Sequence, residues 1–344
     1  MKKILNLAIL LVVGILLVGC NNAKTENKPQ EEKTASAQEV KKLRLAHNQT
    51  SLDNPYQFGL QKFAETLKEV SGGKMEAEVF AGTLGTNENE LAMKLSTDSV
   101  DVVVASPGFM SSTGVKEFDL LSLLYLFDSF EDWESKIDGE FGNKMKDIIT
   151  EKTNNEFKVI GYYSSGVRNY YGKKPITVPE DVKGLNIRLQ QSPVQQEFWK
   201  NAGANPINVG WAELYQALNT GTADAAENDM TNMSQQEHHK TKNGKYTSTT
   251  EHDYTTRLLL MNGKNYDNFT EEEKEWINKA AEASVLEERT KTYEMLDLSK
   301  AKILEDGGEI NEVDKEKFKA IAVPIQDKFI EDNNLQELIE LIRK

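Results

Sequence analysis

Arg188 is the residue of this sequence best suited to bind an anion. It lies in the segment 183–190, where apolar and polar side chains alternate as in a strand. Leu185, Ile187 and Leu189 share one face of this predicted strand, and Arg188 lies on the other. A guanidinium offers paired N–H donors to a carboxylate, and ligands of open α/β sheets bind just beyond the strand ends. The pattern therefore predicts carboxylate binding, although it also fits an arginine that faces solvent.

Other chemistries find less support in the sequence. The tract Glu237-His238-His239 resembles a metal-binding run, but no third ligand lies nearby and the HExxH pattern is absent. Ser164-Ser165-Gly166 lacks the Gly-x-Ser-x-Gly frame of a nucleophile elbow. No glycine-rich phosphate loop follows a predicted strand, and no general acid and base pair is recognisable. We therefore expect a protein without a metal or cofactor that is not an enzyme.

The N-terminal segment predicts export and a lipid anchor. Lys2 and Lys3 precede an apolar run over residues 4–18, which is short for a membrane span and typical of a signal peptide. The run ends in Leu-Val-Gly-Cys, which resembles a bacterial lipobox and predicts a signal peptide over 1–19 and lipid on Cys20. An ordinary signal peptide with a coincidental cysteine is the alternative. Residues 20–41 are polar and predict a flexible tether.

The charge and cysteine content limit the possible partners. The 344 residues carry 41 basic and 55 acidic side chains, a net charge of −14. Nucleic-acid binding requires a basic surface, so we expect no nucleic-acid partner. An anionic ligand would need a locally positive site in so acidic a protein. Cys20 is the only cysteine, which excludes disulfides within the chain.

The predicted elements alternate between strands and helices. Short strand patterns at 43–46, 75–80 and 100–105 flank helical patterns that begin at Pro55 and Glu88. A second set includes predicted strands at 159–163, 184–190, 223–227 and 254–261. Such β-α-β repeats predict an α/β fold with mostly parallel sheets. Thr270 and Glu273 form a capping box before a helical pattern that extends to about Glu305 and could span two lobes.

Several motifs in fixed order resemble one protein family. The series comprises Lys183-Gly184-Leu185-Asn186-Ile187-Arg188, Gly203-Ala204-Asn205-Pro206, Glu213-Leu214-Tyr215-Gln216-Ala217-Leu218 and Ala223-Asp224-Ala225-Ala226-Glu227-Asn228. It resembles the solute-binding subunits of tripartite ATP-independent periplasmic (TRAP) transporters, of the C4-dicarboxylate-binding type. The likeness covers essentially the whole chain after the tether.

The resemblance implies a binding site. In that family the arginine of the Gly-Leu-x-Ile-Arg strand forms a salt bridge with the ligand carboxylate, and Arg188 matches it. A second arginine twenty residues earlier matches Arg168, and an asparagine forty residues later matches Asn228. For Arg168 the alternative is a surface turn residue, and for Asn228 a cap at a strand end.

Three further residues are weaker candidates, and two of them, Trp211 and Asn48, match family positions. Trp211 corresponds to an aromatic residue that would pack on the carbon skeleton of the ligand, or it is a core tryptophan. Asn48, at the end of the first strand, would face the cleft, or it forms a turn. Glu90 would contact ligand hydroxyls or a bridging water, or it lies on a solvated helix face.

The resemblance also implies a fold and a function. The fold would be two-lobed, like a periplasmic binding protein, with a cleft between the lobes and a long helix spanning both. Lobe I would comprise 42–165 plus about 254–290, lobe II 166–253 plus about 291–320, and 321–344 a C-terminal helical segment.

The implied function is capture of a small organic acid outside the cytoplasm and its delivery to a TRAP membrane permease. Ala226 favours a sugar acid such as a uronate or aldonate over a C4-dicarboxylate. The alternatives are a sensor or adhesin lipoprotein and an exported enzyme that acts on acidic sugars. The expected location is the outer face of the cell membrane or the periplasm.

Overall fold

The sheet at the centre of the molecule determines where the site lies. The computed structural model describes residues 39–85, 87–111 and 114–343, so Cys20 and the predicted signal peptide lie outside the described residues. Within these ranges nine strands form one sheet. They are β1 Lys41–His47, β2 Met75–Ala81, β3 Val102–Ala105, β4 Phe157–Gly172, β5 Asn186–Leu189, β6 Asn205–Asn208, β7 Ala225–Asn228, β8 Tyr246–Asn262 and β9 Glu309–Glu312.

Helices pack on both halves of this sheet. They are α1 Pro55–Val70, α2 Glu88–Ser96, α3 Pro107–Ser111, α4 Phe130–Ile137, α5 Glu140–Lys152, α6 Pro193–Asn201, α7 Leu214–Thr220, α8 Met230–Gln235, α9 Gly263–Asp267, α10 Glu271–Glu305, α11 Lys315–Asn333 and α12 Gln336–Arg343. Short 3₁₀ turns cover Lys116–Ser122, Pro179–Val182, Trp211–Glu213 and His238–Lys240. None of the described helices combines the length and the apolar character needed to cross a membrane.

The strand order is β2-β1-β3-β8-β4-β7-β5-β6, with β9 paired to β8. The pairings of β1 with β2 and β3, and of β5 with β6 and β7, are parallel. The two central strands β4 and β8 run antiparallel to each other and join the two parallel groups. This arrangement confirms the predicted α/β fold with a mostly parallel sheet.

The central strands are longer than their sequence patterns predicted. The predictions of 159–163 and 254–261 cover only parts of β4 and β8. Register shifts between Ser164 and Val167 and between Arg168 and Tyr170 interrupt the pairing of β4 with β8. A bulge breaks the alternation of side chains between the two faces of a strand. The period-two pattern in the sequence therefore stops before the strand itself ends.

Two parts of the hydrophobic core share the strand β4. Val159 packs with the buried residues of the β1–β3 half, whereas Tyr170 and Tyr171 pack with those of the β5–β7 half. The predicted limit between residues 165 and 166 therefore falls inside β4, and the limit between 320 and 321 falls inside α11. The assignment of these ranges to lobes stays a prediction.

Helix α10 extends along both halves, as predicted. Thr270 Oγ1 accepts the N–H of Glu273, and a Glu273 carboxylate oxygen accepts the N–H of Thr270, which forms the capping box at its start. The helix has 35 residues and packs against α1 in one half and α8 in the other. The predicted long helix is confirmed.

Candidate ligand-binding site

A polar cavity lies where the ends of β1 and β5 meet. Its volume is about 390 Å³, a size suited to a small molecule. The wall includes residues that follow β1, begin α2, end β5 and precede α7, together with side chains from β7, α8 and β8. These are Asn48, Gln49, residues 87–89, 188–191 and 208–211, Asn228, Asn232 and Arg257.

Arg188 reaches this cavity from β5 with an incomplete set of partners. The side chain is buried, and Nε donates to the carbonyl oxygen of Val209 at 3.0 Å. Nη1 is buried and has no hydrogen-bond partner among the described residues. Burial lowers the pKa of the guanidinium because the charged form is desolvated. A carboxylate in the cavity would supply both the acceptor and the negative charge that Arg188 lacks.

Arg168 occupies a different environment behind the cavity wall. It lies on β4, is fully buried and does not line the cavity. Nε and Nη2 donate to the two carboxylate oxygens of Glu227, with Nη2 to Oε1 at 2.7 Å, and His252 Nε2 lies 3.3 Å from Glu227 Oε2. Burial opposes ionisation of Glu227, but the charge of Arg168 lowers the pKa of that carboxyl to about 2. Glu227 therefore compensates the charge of Arg168.

Arg168 nevertheless orients Asn228, which does line the cavity. Nη1 of Arg168 donates to Asn228 Oδ1 at 2.9 Å, and the backbone N–H of Asp229 donates to the same oxygen at 3.0 Å. With its oxygen occupied on the protein side, Asn228 keeps its amide N–H groups available for a ligand. The antiparallel pairing of β4 with β7 creates this contact by placing Asn169 opposite Asn228.

The remaining predicted residues divide between the cavity and its surroundings. Trp211 lines the cavity, and its ring centroid lies 5.9 Å from the guanidinium carbon of Arg188, within cation–π range. Asn48 also lines it and is buried. Glu90 is half-buried on α2 and is not among the lining residues, whereas Glu88 and Asn89 are. The structure thus brings Arg188, Asn228, Trp211 and Asn48 together.

Arg257, a second cationic residue of the cavity, was missed by the sequence analysis. It lies on β8, is buried, and donates from Nε to the Tyr56 hydroxyl at 2.9 Å. Among the described residues no carboxylate lies within 4.0 Å of its guanidinium. An arginine inside the apolar pattern 254–261 was the signal that could have revealed it.

Side-chain amides join the two halves beside the cavity. Asn54 caps α1 and donates from Nδ2 to Asn232 Oδ1 at 3.1 Å and to Gln235 Oε1 at 3.0 Å. Gln235 donates back to the carbonyl oxygen of Asp53 at 3.0 Å. Because Asn232 also lines the cavity, these hydrogen bonds connect the contact between the start of α1 and helix α8 to the binding site.

The histidine tract has partners other than a metal. His238 Nδ1 lies 2.8 Å from the Tyr171 hydroxyl, and His239 Nε2 lies 2.9 Å from a carboxylate oxygen of Asp306. Within the described ranges, no group of three or more His, Cys, Asp or Glu side chains could hold a metal ion.

Comparison with known proteins assigns the chain to a family. The model of the bacterial extracellular solute-binding proteins, family 7, matches residues 45–333. The chain belongs to this family. A solute-binding protein of Chromohalobacter salexigens is 30% identical over 283 residues, covering 81% of this chain and 82% of the relative.

Solved structures of TRAP periplasmic solute-binding proteins are also similar. A TRAP periplasmic solute-binding protein from Sulfitobacter sp., with bound β-D-galacturonate, is 30% identical with a TM-score of 0.82, covering 88% of this chain and 99% of that one. One from Chromohalobacter salexigens, with bound D-glucuronate, is 29% identical with a TM-score of 0.82, covering 87% and 98%. The family match confirms the predicted TRAP resemblance and the two-lobed α/β fold.

Proposed function

We propose that this protein captures a sugar acid of the uronate class outside the cytoplasm and delivers it to a TRAP-type membrane permease. The observation that carries the proposal is the buried, unpartnered Nη1 of Arg188 at the wall of a 390 Å³ cavity. The two solved relatives with bound uronates, at 29% and 30% identity, support this ligand class.

The predicted site residues have separate roles in this proposal. Arg188 binds the ligand carboxylate through its free donors, and Asn228 adds a hydrogen bond from its amide N–H groups. Trp211 packs against the carbon skeleton, and Asn48 contacts a ligand hydroxyl. Arg168 acts through Asn228, which it orients, because Glu227 already occupies its guanidinium. The contact predicted between Glu90 and ligand hydroxyls stays a prediction.

Ligand binding would favour the closed arrangement of the two halves. A ligand held by Arg188 in one half and Asn48 in the other stabilises the form in which both are within reach. Closure also excludes water, which strengthens the contact between guanidinium and carboxylate. The closed form is then the form presented to the permease.

We also propose that lipid on Cys20 holds the protein at the outer face of the membrane. The proposal rests on the lipobox pattern and the polar tether that follows it. Replacement of Cys20→Ser should move the protein from the membrane fraction to the soluble fraction of the cells or to the medium. Retention of this variant in washed membranes would contradict a lipid anchor.

A thermal-shift screen tests the proposed ligand class. The panel comprises D-glucuronate, D-galacturonate, galactonate, succinate, a sialic acid and 2-oxoacids. At a concentration of one hundred times Kd, a ligand stabilises the folded state by about 2.7 kcal/mol, which raises Tm by about 5 °C. We expect this shift with the uronates. If no carboxylate raises Tm, the proposal is wrong.

Arg188→Ala tests the assigned role directly. We expect this variant to lose the uronate shift while its own Tm stays close to that of the unliganded wild type. Arg343→Ala is the matched control, because Arg343 pairs with Asp327 on the surface at α12. A uronate shift that persists in Arg188→Ala would exclude Arg188 as the carboxylate ligand.

A further inference from the structure

Two buried polar atoms at the cavity wall lack a hydrogen-bond partner among the described residues, and they differ in kind. Nη1 of Arg188 is a donor, and Oε1 of Gln49 is an acceptor. Buried polar groups in proteins are nearly always hydrogen-bonded. A ligand that satisfies both atoms must present an acceptor to Arg188 and a donor to Gln49. A carboxylate meets the first requirement, and a hydroxyl meets the second.

The orientation of Gln49 follows from its neighbours. The residue comes two positions after the end of β1 and is 5% exposed. Its backbone N–H donates to His47 Nδ1 at 3.2 Å, and its side-chain Nε2 donates to Asn48 Oδ1 at 3.2 Å. Because Nε2 is directed to Asn48, Oε1 is the atom that remains for a ligand.

Glu88 adds a second acceptor to the same wall. It is the first residue of α2, is 4% exposed, and lines the cavity. Its Oε2 accepts the backbone N–H of Ser106 at 2.6 Å, which fixes the carboxylate in place. Within the described ranges no basic side chain lies within 4.0 Å of it. A carboxylate can only accept hydrogen bonds, so the other oxygen of Glu88 can take a donor from the ligand.

The charges at the wall set the charge of the ligand. Among the described residues, the charged side chains that line the cavity are Arg188, Arg257 and Glu88. One negative charge against two positive charges leaves an excess of one positive charge. A ligand with a single carboxylate neutralises the site, whereas a second carboxylate would meet the negative charge of Glu88 and the acceptor of Gln49.

Resting on the proposed function, we propose that Gln49 and Glu88 are specificity-determining residues that read ligand hydroxyls and reject diacids. A hydroxyl donates to either acceptor, while the second carboxylate of a diacid leaves Gln49 Oε1 unpartnered and faces Glu88 at close range. Sites built to hydrogen-bond a ligand hydroxyl discriminate strongly against analogues without it, by a factor of about 10⁴ in favourable cases.

Calorimetric titration of the purified protein with D-glucuronate, D-glucarate and succinate tests this assignment. D-Glucarate has hydroxyls and a second carboxylate, whereas succinate has the second carboxylate and no hydroxyl. We expect the wild type to bind D-glucuronate at least about 100-fold more tightly than either diacid. Equal or tighter binding of a diacid would overturn the assignment.

Two substitutions separate the roles of the two acceptors. Glu88→Gln keeps an oxygen for the Ser106 N–H and removes the charge, so we expect tighter binding of D-glucarate and a preference for D-glucuronate reduced about tenfold. Gln49→Leu removes the acceptor, so D-glucuronate should bind about tenfold more weakly, whereas succinate, which no longer leaves Gln49 Oε1 unpartnered, should bind more tightly than to the wild type. Gln236→Leu, outside the cavity lining, is the control and should behave as the wild type.

The outcomes distinguish this inference from the proposed function. If both substitutions leave the ratio of affinities unchanged, Gln49 and Glu88 do not determine specificity, even though the protein binds sugar acids. If the wild type binds only succinate, the carboxylate role of Arg188 survives and the specificity assignment fails. If the wild type binds none of the carboxylates in the wider thermal-shift panel, both proposals fail. Melting curves of the unliganded variants establish that each is folded.

Discussion

Arg168 and Arg188 are both buried arginines next to the same strand β7, yet their surroundings differ. Arg168 donates to both carboxylate oxygens of Glu227, to the Glu227 carbonyl oxygen and to Asn228. Arg188 donates to one backbone carbonyl oxygen, that of Val209. Burial therefore does not distinguish an arginine that stabilises the fold from one that binds a ligand. The distinction lies in whether the protein itself supplies the counter-charge.

The difference between Arg168 and Arg188 shows which chemical group the ligand must supply. At Arg168 the carboxylate belongs to the chain, and the pKa of Glu227 falls to about 2 because the ion pair outweighs the burial of the acid. Among the described residues no carboxylate forms an ion pair with Arg188, and burial lowers the pKa of the guanidinium. A bound sugar acid would be for Arg188 what Glu227 is for Arg168.

The largest expected effect is on stability, at Arg168. The substitution Arg168→Met leaves the buried carboxylate of Glu227 without its cation, and removal of one partner of a buried pair destabilises a protein by about 3–5 kcal/mol. Chemical denaturation at pH 7 measures this loss as a change in the free energy of unfolding. Arg343→Met, at an exposed pair, should lose less than about 1 kcal/mol.

A double variant checks the cause of that loss. In Arg168→Met with Glu227→Gln, no uncompensated negative charge remains, so we expect part of the stability to return. Equal destabilisation of the single and double variants would mean that packing, rather than the unpaired charge, dominates. The comparison between the two arginines would then lose its electrostatic basis.

Glu288 extends the comparison to the carboxylates, with a somewhat smaller expected effect. It lies on α10, is fully buried, and accepts the N–H of Ser164 and the hydroxyl of Thr292, both at 3.0 Å. Within the described residues no basic group lies within 4.0 Å of it. Burial raises the pKa of Glu288 to about 8, opposite in direction to the shift of Glu227.

This shift predicts a specific pH dependence. The folded state keeps the proton of Glu288 up to about pH 8, whereas the unfolded chain releases it near pH 4.5, so stability falls as the pH rises between these values. Glu288→Gln removes this titration. The unfolding free energy of the variant, relative to that of the wild type, should therefore increase by on the order of 3 kcal/mol from pH 5 to pH 8. Unfolding free energies at both pH values measure the gain.

The control for this prediction is the adjacent residue of the same helix. Glu287 is half-buried on α10, and Glu287→Gln should leave the pH profile unchanged. If the difference in unfolding free energy between Glu288→Gln and the wild type is the same at pH 5 and pH 8, Glu288 is ionised in the folded protein at both pH values and the prediction is wrong.

Much of the fold could be predicted from local signals. The capping box of Thr270 and Glu273, the proline that begins α1, and the alternation in β5 all depend on residues close in sequence. The full lengths of β4 and β8 could not be predicted, because their bulges and buried polar side chains erase the period-two pattern.

The site was harder to predict from the sequence than the fold was. Whether Arg168 is paired depends on the pairing of β4 with β7, which joins residues about sixty positions apart. On α2, Glu88 and Glu90 are two positions apart and therefore lie on different faces, so only the packing of α2 shows that Glu88 lines the cavity. The position of Arg257 at the cavity wall likewise depends on the pairing of β8 with its neighbouring strands β3 and β4.

The smallest effect on stability is expected when the same substitution, arginine to methionine, is made at Arg188. Arg188→Met removes a hydrogen bond to Val209 O, which destabilises by about 1 kcal/mol, but it also removes an uncompensated buried charge. These terms oppose each other, so unfolding of the unliganded variant should differ from the wild type by less than about 1 kcal/mol. A loss as large as that of Arg168→Met would mean that the fold requires Arg188 as much as Arg168. Little change in stability, together with loss of uronate binding, would show that the counter-charge of Arg188 comes from the ligand.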